Sequence, residues 1–204
     1  MLSPGAVPSL EQRAASQIDA ILGLIGRRWL GTLNVVIALF ILGAITAPLL
    51  AAGGAVALAD PIYTAYHAAC HQWAFRSFFF FGPQAVYSPD QLAQLNVDPY
   101  TFVGSAATGW KMAICERDIA IYISLLVFGL LYATRWRLRR LRGMPFLLYL
   151  AAAAPLAVDG LTQLFGWRES TWELRLVTGV LFGLASGWLF YPRAEAALNP
   201  DPSS

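Results

Sequence analysis

The chain is 204 residues long, 57% apolar and only 13% charged, with a mean hydropathy of +0.55. That balance excludes a water-soluble globular domain, and a net charge of +2 is too small to support a nucleic-acid binder. The composition is that of an all-α integral membrane protein, with lipid rather than water around most of its surface.

In chain order, residues 1–28 lack the compact apolar core and small-residue cleavage site of a signal peptide, and read as a polar arm followed by an amphipathic helix ending at Arg27-Arg28. A hydrocarbon core of about 30 Å needs roughly 20 mostly uncharged residues. Four windows supply them, at about 32–57, 112–134, 144–166 and 173–191. Residues 61–81 are also apolar and helix-length, but His67, His71, Gln72 and Arg76 make a lipid-surrounded span costly. They read as a helix lying at the interface or tucked between the four spans. Residues 82–111 form the one long connection, in which Ser88-Pro89-Asp90 opens a short helix, suited to a lid or to docking a partner. Residues 29–192 then make a single transmembrane domain, and 193–204 a disordered, proline-broken tail.

Basic residues orient this bundle. Arg13, Arg27 and Arg28 precede the first span, the block RWRLRRLR at 135–142 joins the second to the third, and Arg193 follows the fourth. All fall on one side, so both termini are expected to be cytoplasmic, with 58–111 and 167–171 facing out of the cytoplasmic membrane. In the last span Gly179, Gly183 and Gly187 leave a flat strip for close helix approach, within the bundle or between chains of a homo-oligomer.

On this map the unusual polar residues collect at the outer face. A span carboxylate costs roughly 2.5–3.5 kcal/mol on insertion scales, so Asp118 and Asp159 should be paired, protonated or coordinating. Their cheapest partners are Arg117, Arg168 and Arg175, which serve equally well as members of a buried ion-pair network or, together with Arg76, as a clamp for an anionic substrate. If 61–81 is helical, His67, Cys70 and His71 share one face, and Cys115 and Asp118, three apart, share another. Together they offer the imidazole, thiolate and carboxylate donors of a zinc site; copper, iron or a histidine-ligated haem would accept the same set. The competing reading is a disulfide between Cys70 and Cys115, the chain's two cysteines, in an oxidising exterior.

The strings Cys70-His71-Gln72, Arg76-Ser77-Phe78, Cys115-Glu116-Arg117-Asp118 and DGLTQLFGWRESTWELRLVTG at 159–179 resemble the prokaryotic membrane-protein family catalogued as domain of unknown function 2085. The resemblance spans about residues 60–187. In that family the second motif commonly reads Cys-x-Arg-Cys, which implies that Asp118 stands in place of a second cysteine. Such an exchange keeps an anionic metal ligand but removes a thiol partner, and so favours metal over dithiol chemistry. His67 is not carried by the resemblance and rests on helical spacing alone.

Two functions fit. One is a zinc-dependent membrane enzyme that hydrolyses a lipid or isoprenoid, with Asp159 or Glu116 moving the proton and Arg76, Arg117, Gln163, Arg168 and Arg175 holding the substrate. The other is a structural subunit or assembly factor of a larger membrane complex, stapled by the metal or by the disulfide. A transporter is disfavoured by the lack of matched broken helices or repeated halves.

Overall fold

The computed structural model describes residues 10–134 and 141–199. Four long helices carry the fold: α1 (Leu10–Ala52), α4 (Glu116–Thr134), α5 (Phe146–Leu164) and α6 (Trp172–Leu198). Each contains a stretch long and apolar enough to cross a membrane, in α1 the part Arg28–Ala52. Helices dominate because each satisfies its own backbone hydrogen bonds, a requirement wherever lipid replaces water.

Two expected boundaries move. The N-terminal helix does not end at Arg27-Arg28; α1 runs unbroken from Leu10 to Ala52, since no proline occurs between Leu10 and Pro48. The disordered tail expected from residue 193 is also corrected, because α6 continues to Leu198. Its end is held to the start of the first span: Trp29 Nε1 donates to Glu195 at 2.8 Å and Asn199 Nδ2 donates to the Gly26 carbonyl at 2.8 Å. Of the arginine block, residues 135–140 lie outside the described residues.

α6 packs along α4, with α5 against α6 and α1 against α4. The glycine strip makes the α4–α6 contact. A Cβ at Gly179 would lie 2.8 Å from the Arg117 carbonyl, one at Gly183 would overlap Ser124 Oγ, and one at Gly187 would meet the Phe128 ring at 2.9 Å. The strip is therefore occupied inside the bundle.

The largest departure from expectation concerns residues 61–81, which are not one helix. α2 spans Val56–Tyr66; a single 3-10 turn follows at Ala74–Arg76, and Phe79–Phe80 form strand β1. Gln72 ends any continuation, with φ of 56° in the left-handed region, and its side-chain amide caps α2 by donating to the Tyr63 carbonyl at 2.7 Å. The phenylalanines beyond it alternate in burial, as a strand does. β1 pairs antiparallel with β3 (Gly109–Lys111), which also pairs with β2 (Gly104–Ser105), in the order β1-β3-β2. Gly109, at φ 78°, is required there, because a Cβ would overlap the Phe80 carbonyl.

Thus the long connection is a compact cap over the end of the bundle where α4 and α6 begin. Its helix α3 (Pro89–Gln94) starts at Ser88 as expected, with Ser88 and Gln91 closing a reciprocal capping box at 3.2 and 2.8 Å. Phe75, Phe79, Tyr87 and Leu92 form its own small core.

Candidate metal centre

The cap and the bundle meet at the two cysteines. Cys70 follows α2 as the chain unwinds, and the left-handed Gln72 folds its own N–H back onto Cys70 Sγ at 3.5 Å. Cys115 immediately precedes α4. There its Sγ accepts from the Asp118 N–H at 3.5 Å, in the position where a serine or aspartate usually caps a helix. The positive end of α4 thus faces the Cys115 sulfur, and each of the two sulfurs accepts one backbone N–H.

Cys70 Sγ, Cys115 Sγ and an Asp118 carboxylate oxygen all lie within 4.8 Å of one another. Both cysteines are free thiols. The Cys115 thiol donating to Cys70 pulls the Cys70 pKa below its ordinary value, while that same bond and burial push Cys115 well above. A tetrahedral zinc with bonds of about 2.0–2.3 Å needs donors roughly 3.5–3.8 Å apart, so small side-chain adjustments bring these three into range.

The three donors line a cavity of about 240 Å³. His71, Gln72, Arg76, Arg117, Gln163 and Arg175 also line it. His71 is exposed on its wall, with its ring 5.6 Å from that of Trp73, outside the three-donor group. His67 neither lines the cavity nor joins the donors: it is the exposed C-cap of α2. The shared face expected for His67, Cys70 and His71 required helix through residue 71, and α2 stops at Tyr66.

Behind the cavity the arginines are held by carboxylates. Arg175 Nη1 donates to Glu116 Oε2 at 2.8 Å and to the Phe75 carbonyl at 3.3 Å; Nη2 donates to Gln163 Oε1 at 3.3 Å and to Glu169. Asp159 accepts from Arg117, from Arg168 at 2.5 Å and from Gln163 Nε2 at 3.1 Å. Arg76 makes a two-pronged bond to Glu169 at 2.8 and 2.7 Å and lies over the Trp73 ring, 4.4 Å from its centroid. Glu116 and Asp159, expected to move protons, are thus buried ion-pair partners and do not line the cavity; nor does Arg168.

Glu169, the partner of both Arg76 and Arg175, is absent from the residues singled out by sequence. The signal for it was charge balance: four arginines gathered against Glu116, Asp118 and Asp159 call for a further carboxylate.

The model of the family described as "Predicted membrane protein (DUF2085)" matches residues 105–189, which carry Cys115, Asp118 and all of the ion-pair network except Arg76. A curated relative, "Uncharacterized protein MJ1492" of Methanocaldococcus jannaschii, is 34% identical over 132 residues, covering 64% of this chain and 67% of the relative. The chain belongs to this family of predicted membrane proteins. No solved structure matches it. Cys70 and His71 lie before the matched segment, so the family match brings one half of the centre and the cap brings the other.

Proposed function

We propose that this membrane protein binds one zinc ion through Cys70, Cys115 and Asp118 and uses it to hydrolyse a lipid or isoprenoid substrate. The observation that carries the reading is the approach of three anionic or ionisable donors, within 4.8 Å, on the wall of a cavity. Three protein ligands leave a fourth position, the arrangement of catalytic rather than closed structural zinc sites. Zinc held there would supply a water acidic enough to attack an ester or phosphoester. His71, on the cavity wall, is placed to take the proton, a role that replaces the one expected of Glu116 or Asp159. Arg76, Arg117 and Arg175 shape the cavity wall instead of forming a free clamp, because each is engaged by a carboxylate. The basic residues flanking the spans support cytoplasmic termini and an outward-facing site.

That same engagement favours a second reading, in which the metal, or a Cys70–Cys115 disulfide, staples a structural subunit of a membrane complex or homo-oligomer. Elemental analysis of detergent-purified protein separates a metal from a disulfide, and a turnover assay then separates a catalytic metal from a stapling one. About one zinc per chain, lost in Cys70→Ser and in Asp118→Ala but kept in His67→Ala, is expected. Turnover of a lipid ester that disappears in His71→Ala with zinc retained would then identify the enzyme. No zinc, with neither cysteine titrating as a thiol, would establish the disulfide and end the catalytic reading.

A further inference from the structure

Lys111 is 1% exposed, among the most deeply buried side chains of the cap, and it does not line the cavity of the metal centre. Among the described residues no carboxylate lies within salt-bridge distance of its ammonium. Buried lysines are rare unless they are paired. Its Nζ donates instead to the backbone carbonyl of Gln72, the left-handed residue two positions beyond Cys70.

That bond closes a ring. Lys111 holds the Gln72 carbonyl, the Gln72 side chain donates to the Tyr63 carbonyl at 2.7 Å, and the Tyr63 hydroxyl donates to the Lys111 carbonyl at 2.6 Å. The Gln72 N–H, fixed by the same turn, donates to Cys70 Sγ at 3.5 Å. Strand β3, the end of α2 and the cysteine turn are therefore one braced unit, although they are far apart in sequence.

We propose that Lys111 is a positioning residue of the metal centre: through Gln72 it sets the Cys70 turn, and its ammonium is the built-in counter-charge of the metal-bound thiolates. The inference rests on the zinc reading above. A zinc ion with two thiolates and one carboxylate carries one net negative charge, and removing it from water requires a nearby positive charge. Lys111 supplies one from the cap side, while the arginines on the bundle side already face carboxylates. Burial lowers the Lys111 pKa to about 8, so it is still largely protonated at neutral pH.

The test uses the full chain in detergent with cobalt(II) as the probe, because thiolate-to-cobalt charge transfer reports sulfur ligation directly and chelator competition gives the affinity. Lys111→Gln keeps a donor for the Gln72 carbonyl but removes the charge; Lys111→Arg keeps both. Loss of an outer partner of a metal ligand typically costs 10–100-fold in affinity. A loss of about tenfold or more is expected for Lys111→Gln, with the affinity and the charge-transfer band largely restored in Lys111→Arg. Equal weakening in both variants would overturn the counter-charge, and binding by Lys111→Gln within about twofold of the parent would overturn the role altogether. If Lys111→Gln does not fold, Tyr63→Phe frees one corner of the ring and leaves the ammonium in place. Weaker cobalt binding by that variant supports the brace, and unchanged binding overturns it. A parent protein that binds no cobalt overturns the zinc reading and the lysine's role together, an outcome distinct from all of these.

Discussion

Replacing Gly183 by alanine tests the packing that aligns α4 and α6, the two helices whose first turns supply Asp118 and Arg175. The added methyl would overlap Ser124 Oγ and stand 2.7 Å from the Ile121 carbonyl. Rotating Ser124 relieves only the first clash, and at the cost of its bonds to the Ala120 and Ile121 carbonyls at 2.8 and 2.9 Å. The second obstacle is helix backbone, so the helices must separate. Overpacking of this kind costs about 1–3 kcal/mol. For a chain of this size that lowers the unfolding midpoint by about 2–12 °C. Gly31→Ala is the control, because nothing lies within 4 Å of a Cβ there. Adding Ser124→Ala to Gly183→Ala should recover part of the loss, since one of the two obstacles goes. Thermal unfolding in detergent, followed by circular dichroism, measures all four proteins. A Gly183→Ala midpoint equal to that of Gly31→Ala would refute the claim that the strip is filled by α4.

Arg175→Met should be among the most damaging single changes. It strands Glu116, which is 0% exposed, without its guanidinium partner, and breaking a buried pair from one side costs about 3–5 kcal/mol. Glu116→Gln, which leaves no bare charge, should cost less; the reverse order of midpoints would contradict the pairing. Lys111 gives a pH signature in the Cys70→Ser/Cys115→Ser protein, where thiols no longer titrate. Burial lowers its pKa from 10.5 to about 8, so between those values the unfolded chain binds a proton that the folded chain has released. Stability therefore rises as pH increases from about 8 to 10.5, by at most on the order of 3 kcal/mol. Midpoints measured from about pH 8 to 9.5, below the pH at which tyrosines ionise in the unfolded chain, should climb, and should stay flat once Lys111→Met is added; a fall with pH in that window would reverse the assignment.

The four spans were legible in the sequence because a bilayer tests local composition: a run of apolar residues must become helix there, whatever its neighbours do. The start of α3 was legible for a similarly local reason, since Ser88, Pro89 and Gln91 act on backbone groups within one turn. Cys115 and Asp118 lie on one turn at the entrance of α4, and the arginines and carboxylates grouped from the sequence do converge. The segment 61–81 was not legible. Its composition suits a helix, but Gln72 turns left-handed because its buried side chain and carbonyl find partners at Tyr63 and Lys111, and Phe79 pairs with Lys111 across 32 positions of sequence. That turn removes His67 from the centre, leaves His71 on the cavity wall and delivers Cys70. Whether the four arginines were free or held also depended on Glu116, Asp159 and Glu169 meeting them in space. Sequence by itself fixed what the membrane demands of each segment; tertiary structure alone decided which polar groups meet, because those contacts depend on where the chain returns in space.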